Sequence, residues 1–207
     1  MERVSRPETK VGLAEVLRYR LEAGRRRVWE FQQWLYIRHE GAPPAVQPLP
    51  DGYHEVRGEE LRGGYRDYAR RNRRVAERLA DPRQAGLGVR CGDGLVYDTW
   101  IWRGAYDEPN TGLRLDPGPG GGVLLDSWTA PEHRGRGLHG RMLERRLAEA
   151  ARLGLAPLDG LVHLGNAPAL RAQRAAGARA LERITIIKVL GWRMVRRRPV
   201  EWHELDL

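Results

Sequence analysis

The feature that most constrains this fold lies between residues 123 and 154. A short apolar strand, Val123 to Thr129, is followed by Pro131-Glu132-His133 and then by Arg134-Gly135-Arg136-Gly137. An amphipathic helix comes next, with Leu138, Met142, Leu147 and Ala151 on one face and Gly154 as its stop. Glycines at 135 and 137 let the backbone turn tightly and approach a ligand without interference from a Cβ. The unpaired amides of the helix's first turn, together with its dipole, form an anion site suited to a pyrophosphate. Arg134 and Arg136 add charge at its rim. Gly135, Gly137 and Gly140 also satisfy a Gly-x-Gly-x-x-Gly spacing. A dinucleotide fold does not follow from it, because the motif comes late, after a hairpin, and no acidic residue closes a ribose site where one is expected; Asp159 is the nearest. No Gly-Lys-Ser/Thr occurs, so the Walker pattern is absent.

Around this unit the patterning is mixed. Residues 11–23 carry Leu13, Val16, Leu17 and Leu21 at helical spacing behind a capping box, Ser5 to Glu8, and Gly24 and Arg25-Arg26-Arg27 follow. From 28 to 37 the period becomes two, with Trp29, Phe31, Leu35 and Ile37 on one strand face interrupted by Gln33. The stretch 59–80 reads as a basic helix ended by Asp81-Pro82. Leu87–Cys91 and Leu95–Trp102 flank Gly92-Asp93-Gly94, a hairpin signal. Residues 103–121 read as a Gly/Pro-rich loop, Leu161–Leu164 as a short strand, and Asn166 to Ala176 as a helix closed by Gly177. Ala180–Leu190 and Trp192–Arg198 read as a strand pair. The expectation is one α+β domain over 1–207: helices and a first strand over 1–85, the central unit over 86–178, and the strand pair over 179–207.

Hydrophobic residues at 41% suffice for a core, and no run approaches the ~20 apolar residues of a membrane span. No apolar core follows Met1 to Arg6, so no signal peptide is expected. The single cysteine, Cys91, excludes an internal disulfide and a Cys-rich zinc site, and no metal is expected. The chain reads as cytoplasmic. Its net charge of +9 is almost wholly arginine, since only Lys10 and Lys188 are lysines. Guanidinium groups suit phosphates and carboxylates, which points to a polyanionic partner or to a merely basic surface.

The stretch Thr129 to Leu138 resembles the acetyl-CoA loop of the GCN5-related N-acetyltransferases, whose fingerprint is Gln/Arg-x-x-Gly-x-Gly/Ala. Arg134, Gly137 and the residues between them match; the last position is His139, and Gly140 comes one residue late. Asn166-Ala167-Pro168-Ala169 and Gly177 resemble the family's second motif. The resemblance implies a mixed α/β fold with a central, mostly antiparallel sheet whose fourth and fifth strands splay like a V around acetyl-CoA as co-substrate. It implies cofactor contacts from Ser127, Trp128 and Thr129 for the pantetheine arm, from Arg134, Gly135, Arg136, Gly137, Leu138, His139 and Gly140 for the pyrophosphate, and from Asn166 near the thiol. The activity implied is acetyl or acyl transfer to an amine on a small molecule, peptide or protein, by a monomer or homodimer. Many members carry a tyrosine seven residues after the asparagine as the acid for the departing thiolate; here it is Gln173, and the aromatic after the motif's glycine is Ala178. A silent CoA-binding protein and a basic nucleic-acid-binding protein are the alternatives, the latter from Arg25–Arg27, Arg70–Arg74 and Arg196–Arg198.

For a catalytic base the strongest candidates are Asp126, in Val-Leu-Leu-Asp-Ser-Trp, and Asp98, in Leu-Val-Tyr-Asp-Thr-Trp. A carboxylate in an apolar strand is costly unless bonded or functional. Strict alternation puts Asp126 on one face with Leu124 and Trp128. His163 has a suitable ordinary pKa, His139 belongs with the loop, and a water relay needs no single base. Tyr97, Trp100, Trp102 and Trp128 line an acceptor pocket or fill the core.

Overall fold

The computed structural model describes residues 29–190 and 192–205. The helix expected over 11–23, its capping box and Arg25–Arg27 lie outside the described residues. The chain divides into two compact units, Gln33–Ile184 with Arg197–Leu207 and Met1–Gln32 with Thr185–Arg196. Among its described residues, the smaller unit exposes Trp29, Phe31, Val189, Leu190, Trp192 and Met194 and pairs Lys188 with Glu30 at 3.0 Å. The functional features below belong to the larger unit.

Among the described residues ten strands form two sheets. Eight of them, β1 (Trp29–His39), β2 (Tyr53–Arg57), β3 (Gln84–Cys91), β4 (Gly94–Arg103), β7 (Gly122–Thr129), β8 (Leu158–His163), β9 (Arg179–Val189) and β10 (Trp192–Pro199), make one sheet ordered β10-β9-β1-β8-β7-β4-β3-β2. β5 (Tyr106–Glu108) and β6 (Leu113–Leu115) form a small hairpin inside the stretch that the sequence suggested was loop. Its glycines and prolines flank two three-residue strands whose Leu113 and Leu115 are buried. Among the described residues three helices accompany the sheet: α1 (Ala69–Leu79), α2 (Leu138–Arg152) and α3 (Ala167–Ala175). The helix expected over 59–80 begins only at Ala69; a short 3-10 turn over Gly58–Leu61 precedes it. The sheet is the mostly antiparallel one expected. β2 pairs β3, β3 pairs β4, β4 pairs β7 and β1 pairs β8, all antiparallel.

β7 pairs β8 in parallel, and α2 is the crossover such a pair requires. These two strands pair only at Gly122, Val123 and Leu124, opposite Leu158, Asp159 and Gly160, and then part. Gly160 is needed near the vertex, where a Cβ would meet Ile37 at 3.2 Å.

Among the described residues three cores hold the sheet, one of them joining Leu170 of α3 to Leu35, Ile37 and Ala180, and the other two flank the strands that carry the site. On one face Leu138, Met142, Leu143, Leu147 and Ala150 of α2 pack on Leu87, Val89, Tyr97, Ile101 and Leu124. On the other, Leu61, Tyr65 and Val75 pack on Trp100, Val123 and Leu125. α1 brings little apolar surface: its buried residues are Arg71, Val75 and Arg78. Ion pairs and hydrogen bonds tie it down instead, with Asn72 exchanging two bonds with the backbone of Tyr65, at 3.0 and 2.6 Å.

Candidate functional site

A cavity of about 940 Å³ opens where β7 and β8 part. On the α2 side it is lined by Ser127 to Thr129, the loop from Arg134 to Gly140, and Asn166 with Ala169, Ala172 and Gln173 of α3. On the α1 side it is lined by Arg74, Arg78, Tyr106, Glu108, Asn110 and Asp126. Of the thirteen residues that the sequence singles out for catalysis or cofactor contact, only Asp98 is not on this wall.

The loop is shaped by its glycines. Gly135 and Gly137 both have positive φ, +74° and +71°, and a Cβ on Gly137 would lie 2.6 Å from Nη1 of Arg141. Gly140 is already inside the first turn of α2 and has open space around it. Two anchors fix the segment before the loop: Tyr53 Oη pairs with His133 Nδ1 at 3.0 Å, and Tyr68 Oη donates to Glu132 at 2.9 Å. Among the described residues no backbone carbonyl accepts from the amides of Gly135 to Gly140, so this turn presents a row of free donors at a helix start. Asn166 caps α3, its Oδ1 accepting from the amide of Ala169 at 3.3 Å.

β7 carries a bulge. Thr99 faces Ser127 and Trp100 faces Leu125, which leaves Asp126 as the extra residue. Strict alternation therefore fails here. Leu124 packs with the α2 core, whereas Asp126 meets the arginines of α1 on the opposite face. Its Oδ2 lies 2.8 Å from Arg71, 3.4 Å from Arg74 and 3.6 Å from Arg78. Burial pushes this carboxyl up, but the three guanidinium groups outweigh burial and hold it below the ordinary carboxylate range. Asp126 is thus an ionised group at the cavity wall. Asp98 has no exposed surface. Its oxygens take hydrogen bonds from Arg71, Tyr65 Oη and Trp100 Nε1, so it holds α1 to the sheet and touches no ligand space.

Asp126→Asn gives a stability prediction with a definite sign. A carboxyl held below its unfolded pKa of about 3.9 contributes fully above that pH, and the contribution is lost as pH falls through the folded value. The variant is expected to be less stable than wild type at pH 7 by roughly 1.5–3 kcal/mol, the scale of hydrogen bonds to charged groups. The gap should close as both are acidified below about pH 4. Denaturant melts of the two proteins across pH check this; a gap that persists in acid contradicts the ion-pair account.

The other candidates are placed as follows. His163 lines the cavity, but its Nδ1 accepts from the amide of Gly165 at 3.0 Å. In a neutral ring Nε2 then carries the proton, which leaves no lone pair to take one from a substrate. Tyr97 and Trp100 are core residues, at 1% and 0% exposure, while Trp128 sits on the cavity wall with its ring edge-on to Tyr65 and Tyr68. Gln173 is 4% exposed, not solvent-facing, and its Oε1 lies 2.8 Å from Nε2 of His39.

His139 stands where the fingerprint has a small residue. Tyr97 Oη lies 3.1 Å from its Nδ1, and its Nε2 is buried with no partner. Burial, and then the charge of Arg146, lower its pKa to about 4. The neutral ring is the form the fold accepts. Its contribution is complete above the unfolded value of about 6.5 and is lost as pH falls through about 4. Urea midpoints of wild type should fall more steeply across that window than those of His139→Gln; parallel curves would rule out this account.

Sequence reasoning missed Arg146, His39 and the bulge. The first two were visible as polar residues inside buried stripes. Leu138, Met142, Arg146 and Ala150 recur every four residues on the inner face of α2, and Leu35, Ile37 and His39 alternate on β1.

No family model matches the sequence, and no curated protein does. Solved structures do match. The GCN5-related N-acetyltransferase of Sphaerobacter thermophilus aligns with 92% of this chain and 59% of its own at 16% identity and a TM-score of 0.53. The tandem GNAT protein of the clavulanic acid biosynthesis pathway aligns with 79% of this chain and 55% of its own at 14% identity and a TM-score of 0.57. The GCN5-related N-acetyltransferase-like protein of Streptococcus suis aligns with 86% and 68% at 14% identity and a TM-score of 0.52. The chain spans less than two thirds of the length of the first two. With its strand order, its parting strands and its glycine turn, this chain has the fold of the GCN5-related N-acetyltransferases.

Proposed function

We propose that this protein transfers an acetyl or other acyl group from acyl-CoA to an amine. The observation that carries this reading is the cavity at the parting of β7 and β8, with the free amides of Gly135 to Gly140 at its rim. Three further features fit acetyl-CoA as co-substrate. The turn holds Gly137 at a positive φ that disfavours other residues, Arg134 and Arg136 are exposed beside it, and the edge of β7 beyond Leu124 is released from β8. An extended pantetheine arm can add to such an edge as a strand would, beside Ser127, Trp128 and Thr129. In this reading the loop from Arg134 to Gly140 holds the pyrophosphate, and Asn166 starts the helix beside the thiol end.

The α1 side of the cavity receives the acceptor. Arg71, Arg74 and Arg78 stand there against Asp98 and Asp126. With Glu108 on the same wall the arginines and carboxylates are equal in number, three of each, so net charge there selects neither an ammonium nor an anionic acceptor. Asp126, ionised and held by guanidinium groups, orients Arg74 and Arg78 and is a poor base. The amine's proton then leaves to water. The main work of the protein is holding the two reactants in contact.

A nucleic-acid reading is weakened at α1, because Arg71, Arg74 and Arg78 converge on Asp126 and two of them are buried. Calorimetry with acetyl-CoA, and free thiol release with a panel of amines, test the proposal. Binding at micromolar order with amine-dependent thiol release is expected. No binding by wild type overturns it, and binding without turnover on any amine supports the silent alternative.

A further inference from the structure

Arg146 is a buried cation whose charge no group among the described residues balances. It is 2% exposed, in the middle of the apolar stripe of α2, yet it lies on the cavity wall. Its Nη1 donates to three neutral acceptors: Thr99 Oγ1 at 2.7 Å, the carbonyl of Leu125 at 2.8 Å and Ser127 Oγ at 3.3 Å. Its Nε is buried with no acceptor, as is the nearby Nε2 of His139. Among the described residues no carboxylate is within ion-pair distance of it. The titratable groups facing it are Tyr97 from β4, His139 from α2 and His39 from β1, with Asp126 felt across the sheet. Burial depresses both histidines and raises Tyr97, which leaves all three neutral. Asp126 is already engaged by three other arginines.

A guanidinium taken out of water without a counter-charge is strongly unfavourable. Where it borders a ligand cavity, an anion brought by the ligand can supply the missing charge. That anion is not the pyrophosphate of the glycine turn. Arg146 lies eight residues into α2 from Leu138, about 12 Å along the helix axis from its start. Its bond to Leu125 puts it beside the point where β7 leaves β8.

We propose that Arg146 is the counter-charge for the sulfur of coenzyme A in its thiolate form. The inference rests on the acyltransferase reading and adds a residue to it. Acyl transfer to an amine breaks the acyl–sulfur bond and forms the acyl–nitrogen bond. The electron pair of the broken bond stays on sulfur, and the amine's proton goes to water. Gln173 on the same wall has no acidic proton to give, and its carboxamide is engaged with His39. A fixed cation that accepts the sulfur as an anion removes the need for an acid, because a neighbouring arginine lowers the pKa of a thiol.

The test uses coenzyme A itself, titrated on the protein by the ultraviolet absorbance of the thiolate. Desulfo-coenzyme A, which lacks the sulfur, is measured by calorimetry in parallel. Bound to wild type, the thiol should ionise at least about one pH unit below the value measured for coenzyme A free in the same buffer, about tenfold more thiolate at neutral pH. In Arg146→Met that shift should vanish, while desulfo-coenzyme A binds within about twofold of wild type. Arg146→Lys should keep part of the shift. Equal shifts in wild type and Arg146→Met overturn the proposal. If neither substituted protein folds, wild type alone decides, since a bound thiol that ionises as it does in solution also overturns it. If desulfo-coenzyme A does not bind wild type, the acyltransferase reading has failed first and the inference falls with it.

Discussion

Gly137→Glu should abolish measurable acetyl-CoA binding while the protein stays folded. Two separate effects act at this position. Gly137 has φ of +71°, a conformation that costs an L-residue roughly 1–2 kcal/mol. Its Cβ would also lie 2.6 Å from Nη1 of Arg141, so that side chain must give up its present place, where Nε donates to the carbonyl of Pro48 at 2.9 Å. The added carboxylate then stands among the free amides that the proposal assigns to the pyrophosphate, and repels it. A drop of about a hundredfold or more in affinity is expected from the repulsion, about 2.7 kcal/mol or more. Gly137→Ala separates the parts, since it carries the strain without the charge. Calorimetry of the three proteins checks this, and unchanged binding by Gly137→Glu would remove the pyrophosphate from this loop. Gly135→Glu is a weaker test, because φ is +74° there but a Cβ meets nothing.

The largest loss of stability should come from Asp98→Ala. Asp98 is the acceptor for Tyr65 Oη, Trp100 Nε1 and the bidentate guanidinium of Arg71, and it has no exposed surface. Burial and the charge of Asp98 together raise the Tyr65 pKa, and the Arg71 pKa is also raised because its two carboxylates outweigh burial. Removing the carboxylate leaves Arg71 buried with Asp126 as its remaining partner and strands two neutral donors. Breaking a buried pair in this way costs about 3–5 kcal/mol. In a chain of this size each kcal/mol moves the melting temperature by about 2–4 °C, so a fall near 10 °C is expected. α1 has only Val75 as a buried apolar anchor, so the loss should concentrate there, seen as faster amide exchange over 69–79. A melting point within about 2 °C of wild type would show that Asp98 does not carry the helix.

These two residues show different relations between sequence and structure. Gly137 was legible because a strand, a glycine turn and an amphipathic helix in that order admit few backbones. The turn needs positive φ, and the helix start needs partners for its amides. Asp98 and Asp126 were legible only as oddities, carboxylates in apolar strands, and the sequence could not divide their roles. Their separation depends on α1. Arg71 reaches both, but Asp98 lies under Trp100 and Tyr65, whereas Asp126 is lifted out of register by the bulge on β7. A bulge is one residue of slip between strands that are neighbours only after folding, and no local pattern marks it. The β5–β6 hairpin was hidden for a different reason, since strands of three residues are shorter than the alternation needed to detect them.

The sequence by itself determined the order of elements from β7 through α3, a tight glycine turn at Gly135 and Gly137, and the placing of Asn166 at a helix start. All of these follow from local backbone chemistry: glycine's freedom, capping, and the period of apolar residues. Only the tertiary structure decided that β7 and β8 part after three pairs, and that Asp98 is sealed while Asp126 faces the cavity. It alone showed that Arg146 reaches that cavity with no counter-charge among the described residues. Those facts depend on which side chains meet across more than twenty residues of chain. Burial and ion pairing are properties of such meetings, not of any one segment.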